Sequence, residues 1–287
     1  MLLSLLICTH KRNDELIRVI RSMAPVPREV EIVIVDQNLE SERVDRRVLE
    51  HYFTRKENLR IVQKRLGSLS SARNMGFREC CGEFIGIPDD DNYYDTSFRD
   101  RVVDRLKDVR ENSKCGGILL NWGAFRGYPL TYRRMRSLEC LRFGNSGTII
   151  VRRGSVCKEL GMEPFPRDMS PGTLFPAGDE TFFLASFLKK SNKILMTSPD
   201  IYIDHPVFPV SIDRERAYNY GFGALAVKLI MLGWTPALAY SIKMMLAPVI
   251  RLMTSIYRKD RRALSWIVLS RRWASAFMYT IKMSRQE

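Results

Sequence analysis

Cysteine pairs at metal-binding or disulfide spacing are missing from this sequence. Its six cysteines include no C-x-x-C pair, and regularly spaced pairs are what zinc sites and disulfide frameworks require. Internal repeats and low-complexity tracts are also missing, which excludes a repeat protein and argues against a chain that is mainly disordered. The sequence therefore predicts a globular protein in a reducing cytoplasm.

Long apolar runs are scarce as well. The longest uncharged run of the C-terminal part, from Leu229 to Ile242, is shorter than the ~20 residues of a membrane-spanning helix. The first residues, MLLSLLICTHKR, are apolar, but their positive charges follow the apolar stretch and no small-residue cleavage site is visible. We therefore expect no spanning helix, and we interpret the N-terminal run as a first buried strand.

Positive charge is concentrated near the C terminus. Residues 224–287 carry eleven Lys and Arg against Asp260 and Glu287, which gives +9 of the total +14. At helical spacing an apolar stripe lies largely opposite basic residues; the stripe is Trp266, Trp273, Phe277 and Ile281, and the basic residues are Arg271, Arg272 and Lys282. This pattern is typical of helices that lie on an anionic membrane. Packing against the rest of the chain or against a second subunit is the alternative, and we expect no nucleic-acid partner because no motif for one is present.

The first 100 residues alternate between apolar runs and a helical pattern. Runs at residues 2–9 and 30–38 are continuously apolar, which suits strands of a parallel sheet that is covered on both faces. Between them a helix is expected, with Asn13 or Asp14 as its N-cap. Three further elements follow: a strand at residues 60–64, a helix from Ser70 or Ser71, whose hydroxyls can cap it, and a strand at residues 83–88. This order predicts a nucleotide-binding half with polar groups at the carboxyl ends of the strands.

The remaining chain predicts a second half of the α/β domain and a helical tail. The expected elements are strands at residues 116–122 and 146–153, a helix beginning at about Asp179, two short strands within residues 194–205, and helices from Ala217 onwards that are interrupted at Pro236 and Pro248. We therefore expect one domain over residues 1–223, with halves at 1–100 and 101–223, and a basic amphipathic tail over residues 224–287.

Three adjacent aspartates, Asp89, Asp90 and Asp91, follow the fourth predicted strand. Neighbouring carboxylates repel one another unless a cation compensates them, and an oxygen-rich D-x-D cluster suits a hard divalent ion, Mn²⁺ or Mg²⁺, that also binds phosphate oxygens. Because Asp36 ends a neighbouring strand, we expect it close to these aspartates. A solvated turn that caps the next helix is the alternative, but the position directly after a buried strand favours a metal and diphosphate site.

Four segments in this order, LLICTHKR, EIVIVDQN, GSLSSARNMG and CGEFIGIPDDDNYY, resemble the nucleotide-sugar domain of the family 2 glycosyltransferases, which have the GT-A fold. The resemblance implies that Thr9 and Asp36 hold the nucleobase and ribose and that Arg73 lies near the base or diphosphate. It further implies that Asp89 and Asp90 contact the nucleotide sugar, and that Asp91, with Asp89, binds the metal.

The resemblance extends more loosely to AGDETFFL and IYIDHP, and it implies that residues 1–223 are a catalytic domain whose second half, residues 101–223, supplies the acceptor site. It implies that Glu180 is the general base, with Asp179 as its acidic neighbour, and that His205 reaches the metal or the diphosphate. The order Asp-Glu departs from the commoner Glu-Asp order of the family, so Asp179 remains an alternative base; it could equally be a helix N-cap. Trp122 and Asn145 are further candidates for sugar contacts.

The sequence thus predicts an inverting glycosyltransferase that moves a sugar from a nucleotide diphosphate sugar, expected to be a UDP-sugar, to a hydroxyl of a lipid-linked or growing surface polysaccharide. The expected location is the cytoplasm, at the inner face of the cell membrane. A nucleotidyltransferase is one alternative, although its Gly-rich phosphate loop is missing where CTHKRND stands. A non-catalytic module that binds membranes or glycans is the other.

Overall fold

The computed structural model describes residues 1–123, 127–205, 212–257 and 274–282. The strands are β1 (Leu3–Thr9), β2 (Val30–Asp36), β3 (Leu59–Gln63), β4 (Phe84–Gly86), β5 (Tyr93–Tyr94), β6 (Cys115–Trp122), β7 (Ile149–Arg152) and β8 (Ile194–Asp204). The α-helices with named bounds are α1 (Asn13–Ser22), α2 (Arg46–Glu50), α3 (Leu69–Glu79), α4 (Thr96–Glu111), α5 (Ser137–Phe143), α6 (Arg153–Leu160), α7 (Asp179–Ser191), α8 (Ile212–Met231) and α9 (Thr235–Tyr257). Residues 274–282 are also helical.

All of these strands join one sheet in the order β3-β2-β1-β4-β7-β6-β8-β5. Parallel pairing connects β3, β2, β1 and β4, and also β6 with β8. Strands β7 and β5 run antiparallel to their neighbours. The predicted α/β fold with a mostly parallel central sheet is therefore confirmed, with β7 inserted between its two parallel parts.

The sheet is buried because helices cover both of its faces. On one face, α1 and α4 supply core residues such as Leu16, Val19 and Phe98. On the other, α3 and α7 supply Phe77 and Phe183. Every residue of β1 and β2 is buried, as their continuous apolar runs predict.

The chain changes direction across the sheet between β1 and β4. From β1 it proceeds to β2 and β3 on one side, and it then returns to place β4 on the other side of β1. Such a reversal leaves a crevice outside the carboxyl ends of the two strands, which is where ligands bind in open α/β sheets. The residues that follow β1 and β4 are therefore candidates for ligand binding.

Two predicted helix caps are wrong. Arg12 rather than Asn13 or Asp14 precedes α1, and no side chain caps this helix; the Asn13 amide instead donates to the carbonyl of Glu42. Helix α3 begins at Leu69, and the Ser68 hydroxyl accepts from the backbone N–H of Ser71. The Ser70 hydroxyl is unavailable as a cap because it donates to the carbonyl of Met169.

One long strand, β8, replaces the two short strands expected at residues 194–205. Its pairing with β6 passes from Leu120↔Ser198 directly to Asn121↔Tyr202. The residues between are left out of the ladder, and the side-chain amide of Asn121 donates to the carbonyl of Pro199 at 3.1 Å. The proline-containing stretch therefore interrupts the ladder without ending the strand.

The C-terminal part is helical where it is described. The expected interruption at Pro236 falls at the start of α9, but the one at Pro248 is wrong because α9 continues through it; a helix can continue through a proline at the loss of a backbone hydrogen bond. The expected domain boundary at residue 223 falls within α8. Of the predicted apolar stripe, Trp266 and Trp273 lie outside the described residues, as do Arg271 and Arg272. No helix within the described residues is long and apolar enough to cross a membrane.

Candidate active site

The carboxyl ends of three neighbouring strands place polar residues together. Thr9 pairs with Asp36 at the ends of β1 and β2, and an additional bridge joins Cys8 to Asp89 beyond β4. The Thr9 hydroxyl donates to Asp90 at 2.8 Å. Asp36 and the aspartates after β4 therefore lie on either side of Thr9, at the same edge of the sheet.

A buried arginine organises one side of this edge. Arg73 is only 2% exposed, and its Nη1 lies 2.5 Å from Oδ2 of Asp179 while its Nη2 lies 2.9 Å from Oδ1 of Asp89. Glu180 is 3.6 Å from the same Nη2. We call Arg73, Asp179, Asp89 and Glu180 the buried centre. A buried charge is tolerated only when it is paired and hydrogen-bonded, which this arrangement provides.

The position of Arg73 depends on close packing of α3 against the sheet. Gly76 lies one turn after Arg73, and a Cβ at this residue would meet Cδ1 of Leu6 at 2.1 Å and Cγ2 of Val35 at 2.8 Å. A glycine therefore lets α3 lie against β1 and β2 with its first turns beside their carboxyl ends.

A second arginine holds the other two aspartates. Nη1 of Arg12 is 3.0 Å from Oδ1 of Asp90 and 2.7 Å from Oδ2 of Asp91. The Arg12 side chain is 37% exposed, whereas those of Asp90 and Asp91 are 7% and 5% exposed. We call the pairing of Arg12 with Asp90 and Asp91 the open pair, because a partly exposed guanidinium pairs with two buried carboxylates. Burial raises the pKa of Asp90 to about 6, against the opposing hydrogen bonds from Arg12 and Thr9.

Three ligand-type side chains converge beside the open pair. Each of these side chains offers one ligand atom, and the ligand atoms of Asp89, Asp91 and His205 all lie within 4.8 Å of one another. Nε2 of His205 is 3.1 Å from Oδ1 of Asp91. Burial disfavours the charge of Asp91, but His205 and Arg12 outweigh it and lower its pKa. Two carboxylates and one imidazole at this spacing fit a divalent ion such as Mn²⁺, which accepts both oxygen and imidazole ligands.

A cleft of about 160 Å³ opens next to these residues. It is lined by Asp89, Asn92, Trp122, Asn145, Ser146, Glu180, Ile203 and His205. Trp122 and Asn145, the further candidates for sugar contacts, are thus at the cleft. The remaining histidines, His10 and His51, are exposed and are not among its lining residues.

Glu180 faces this cleft from the first turn of α7. Gly178 caps the helix in a left-handed conformation, φ 98°, so Asp179 is a first-turn residue and the alternative of Asp179 as the N-cap is wrong. Oε2 of Glu180 accepts from the backbone N–H of Ser146 at 2.9 Å. Burial raises the pKa of Glu180 to about 7; Arg73 opposes this rise, and Asp179 and Asp89 reinforce it.

Asp179 is less suited than Glu180 to meet a substrate. It is 3% exposed and is bound directly by Arg73, and burial raises its pKa despite that cation. Glu180 has 27% of its side chain exposed and lies in the cleft wall. The geometry therefore favours Glu180 as the carboxylate available to a bound molecule.

The structure brings most of the predicted site residues together, and three of them, Asp89, Glu180 and His205, line the cleft itself. Asp36 is 3% exposed, and its carboxylate accepts from the backbone N–H of Asn38; it is not among the cleft-lining residues. The sequence analysis missed Arg12 and Ser146. Arg12 stands within the segment CTHKRND, but its two aspartate partners are 78 and 79 residues away, so no local spacing pointed to the contact.

Ser146 links the cleft wall to the metal-ligand group. Its hydroxyl donates to Oδ2 of Asp89 at 2.6 Å, while its N–H holds Glu180. One residue thus fixes the relative position of the two carboxylates. Sequence gave no signal for it beyond its place at the start of a predicted strand.

Carboxylates and a histidine at the carboxyl ends of a mostly parallel sheet, beside a cleft at its switch point, are the arrangement of the GT-A class of glycosyltransferases. A family model described as Glycosyl transferase family 2 matches residues 4–161, more than half of the 287 residues. The chain therefore belongs to glycosyl transferase family 2. No curated protein matches the chain in sequence.

Solved structures share the fold at low sequence identity. Staphylococcus aureus TarS 1–349 in complex with UDP-GlcNAc is 18% identical, with a TM-score of 0.65 over 96% of this chain and 82% of that one. Mannosyltransferase PcManGT from Pyrobaculum calidifontis, in complex with GDP-Man and Mn²⁺, is 14% identical, with a TM-score of 0.62 over 97% of this chain and 86% of that one. In a longer TarS structure, 17% identical with a TM-score of 0.63 over 86% of this chain, the match spans only 44% of that protein.

Proposed function

We propose that this protein is a metal-dependent, inverting glycosyltransferase that transfers a sugar from a nucleotide diphosphate sugar, expected to be a UDP-sugar, to an acceptor hydroxyl. One observation carries the proposal: Glu180 lines the same cleft of about 160 Å³ as Asp89 and His205, which together with Asp91 form the candidate metal-ligand group. A carboxylate base and cation ligands at one cleft are what a direct displacement at a sugar carbon requires. The complexes of similar structures with UDP-GlcNAc and GDP-Man support the donor class.

In the proposed reaction, Glu180 accepts the proton of the acceptor hydroxyl. The acceptor oxygen forms a bond to the anomeric carbon from the face opposite the diphosphate. The bond between this carbon and the diphosphate oxygen breaks, and its electron pair leaves with that oxygen, so the configuration at the carbon is inverted. The Ser146 N–H orients Glu180 for this step, and Arg73 keeps Asp89 in place.

The other residues serve the donor. Asp89, Asp91 and His205 would hold Mn²⁺ or Mg²⁺, which when bound stabilises the negative charge of the diphosphate. Asp36 contacts the base, and Asp90 contacts the nucleotide sugar. Since the Thr9 hydroxyl is bonded to Asp90, Thr9 acts on the donor by positioning that carboxylate.

Calorimetric titration with UDP, with and without Mn²⁺, tests the donor site. We expect UDP binding to require Mn²⁺ and to be lost in Asp91→Asn. Asp104→Asn is the matched control, because that side chain is 80% exposed on α4 and the same charge is removed. If UDP, GDP and dTDP all fail to bind in the presence of Mn²⁺, the proposed function is wrong.

We further propose that the acceptor is a lipid-linked or growing surface polysaccharide and that the protein works at the inner face of the cell membrane. The support comes from α9. Six apolar residues at successive helical turns are 42–66% exposed and form what we call the α9 stripe: Leu238, Ile242, Leu246, Val249, Met253 and Ile256. The buried residues Ala237 and Ser241 lie on another side of the helix, where the Ser241 hydroxyl donates to the carbonyl of Ala226 in α8.

Charge favours an anionic membrane over a second copy as the partner of this stripe. Residues 216–259 contain no Asp or Glu but include Lys228, Lys243, Arg251, Arg258 and Lys259. An anionic lipid surface attracts such a segment, whereas a second copy would bring another tail with a charge of +9 against it.

Cosedimentation with lipid vesicles tests this attachment. We expect the protein to pellet with vesicles that contain phosphatidylglycerol, but not with pure phosphatidylcholine, and to dissociate as salt is raised. The triple variant Leu246→Glu, Val249→Glu and Met253→Glu should remain in the supernatant. Its control is Val48→Glu, Leu130→Glu and Leu174→Glu, which adds the same charge at residues that are 45%, 84% and 48% exposed elsewhere.

Two results would contradict membrane attachment. One is equal pelleting of the stripe variant and its control. The other is a mass near twice 33.3 kDa in light scattering that the stripe variant loses, since this would assign the stripe to a second copy.

A further inference from the structure

Arg12 lies where a cation is expected to act. Its Nη1 contacts Asp90 and Asp91 at 3.0 and 2.7 Å, and Asp91 is one of the three candidate metal ligands. The two oxygens of Asp91 are divided between Arg12 at Oδ2 and His205 at Oδ1. A divalent ion at this carboxylate therefore has to share it with a guanidinium, and two cations at one carboxylate repel each other.

The backbone of Arg12 is fixed, while its charged end is not enclosed. Its carbonyl accepts from the backbone N–H of Leu16 at 2.9 Å, which begins α1, and β1 ends only three residues earlier, at Thr9. The side chain is nonetheless 37% exposed. The guanidinium can therefore leave the aspartates by rotating about side-chain bonds, without any change in the fold.

The proposed donor supplies an alternative partner for this guanidinium. A diphosphate presents several anionic oxygens, and a guanidinium binds such oxygens in a bidentate manner. Arg73, by contrast, is 2% exposed and has three carboxylate neighbours, so it is not free to exchange. Arg12 is thus the mobile cation of the aspartate cluster.

We infer that Arg12 is the resident counter-ion of Asp90 and Asp91, and that it exchanges these carboxylates for the diphosphate when the nucleotide and the divalent ion bind. The inference rests on the proposed function, because it needs a nucleotide diphosphate as ligand. Its consequence is thermodynamic: nucleotide removes the cation that opposes the metal, so each ligand raises the affinity of the other by the same factor.

Titration of the nucleotide-free protein with Mn²⁺ alone tests the inference. We expect Arg12→Ala to bind Mn²⁺ about three- to tenfold more tightly than the natural protein, in line with the strength of a partly exposed ion pair. Arg12→Lys should keep the weak affinity because it keeps the positive charge. Arg46→Ala is the matched control, since that arginine is 49% exposed and pairs with Glu50, and it should change nothing.

Repeating the Mn²⁺ titration with saturating UDP completes the test. In the natural protein UDP should tighten Mn²⁺ binding, and in Arg12→Ala this gain should shrink. Melting temperatures of all variants establish that the proteins are folded. Weaker or unchanged Mn²⁺ binding in Arg12→Ala overturns the inference, because Arg12 would then only orient the aspartates or have no part in the site.

Asp91→Asn separates this inference from the proposed function. If Asp91→Asn loses Mn²⁺ binding but Arg12→Ala does not tighten it, the metal site stands and only the role of Arg12 is wrong. If Asp91→Asn binds Mn²⁺ as the natural protein does, the metal site of the proposed function is itself wrong, and the inference falls with it.

Discussion

Two arginines form ion pairs with one group of carboxylates, and the two differ greatly in their exposure to solvent. Arg73 of the buried centre is 2% exposed, whereas Arg12 of the open pair is 37% exposed. Removing one partner of a buried ion pair leaves a charge that water cannot reach, while exposed pairs contribute little to stability. From this difference we conclude that one cation of the carboxylate group is fixed by folding, whereas the other is exposed enough to exchange as we infer above.

The largest expected effect is on folding, in Arg73→Met. Methionine has a similar length but no charge, so Asp179 and Asp89 lose their cation inside the protein. We expect the free energy of unfolding to fall by about 3–5 kcal/mol, measured by urea denaturation.

The matched variant Arg12→Met makes this a direct comparison of the two arginines. It removes the same group from the open pair, but Thr9 and His205 still contact the two buried carboxylates, so it should lower the free energy of unfolding by about 1–2 kcal/mol. Similar losses in the two variants would contradict the distinction between a fixed cation and an exchangeable one.

The next effect is on turnover, in Glu180→Gln. The amide cannot accept the acceptor proton, although it keeps the size of the side chain and can still accept from the Ser146 N–H. We expect the rate of sugar transfer to fall by about a hundredfold or more, with UDP and Mn²⁺ binding retained. Glu111→Gln, whose side chain is 79% exposed on α4, is the control and should transfer at the natural rate. A full rate in Glu180→Gln would remove Glu180 from the reaction.

The parts of the molecule that were predictable from sequence are those whose signal is local. The continuous apolar runs predicted β1 and β2, and the aspartates after the fourth run predicted a polar edge. Helix α4 was not identified, although Phe98, Val102 and Leu106 are all buried along it, because charged residues dominate its composition. The roles of the site residues carried over from the family resemblance remain predictions.

The contacts that sequence could not predict join distant segments. Arg12 meets Asp90 and Asp91 only because β1 and β4 are neighbours in the sheet, and Ser146 meets Asp89 only because β7 pairs with β4. The choice between Asp179 and Glu180 as the base likewise required the position of Arg73, because its guanidinium donates directly to the carboxylate of Asp179. Contacts between segments that are distant in sequence, rather than local pattern, decided each case.

A smaller effect is expected on the pH dependence of transfer. Burial, together with Asp179 and Asp89, raises the pKa of Glu180 to about 7 against the opposing Arg73, and a general base acts only when it is ionised. Below pH 7 we therefore expect the rate, at saturating donor and acceptor, to fall about tenfold for each pH unit, and above it to level off. A rate that stays constant from pH 5 to 8 would contradict this assignment.

The sign for stability is opposite to that for activity. The pKa of Glu180 rises from 4.5 to about 7 on folding, so the folded chain binds the proton more tightly than the unfolded chain does. The contribution of this group to stability is therefore full below pH 4.5 and decreases as pH rises towards 7. Urea denaturation of the natural protein and Glu180→Gln across this range should show a difference that shrinks at low pH.

The smallest effect is expected at Ser146, which connects Glu180 to the metal-ligand group. Ser146→Ala removes the hydroxyl that donates to Asp89 at 2.6 Å but keeps the N–H that holds Glu180. Of the two side chains that hydrogen-bond to Asp89, Arg73 and Ser146, only Arg73 then remains. We therefore expect UDP and Mn²⁺ to bind about three- to tenfold more weakly. The pH dependence of transfer should stay as in the natural protein, since the contacts of Glu180 are unchanged. Ser191→Ala is the control; at the end of α7 this hydroxyl donates to the carbonyl of Phe187 and accepts from the backbone N–H of Lys193. If the pH profile shifted while donor binding stayed unchanged, the prediction would be wrong. The hydroxyl of Ser146 would then act on the base, Glu180, rather than on the metal ligand, Asp89.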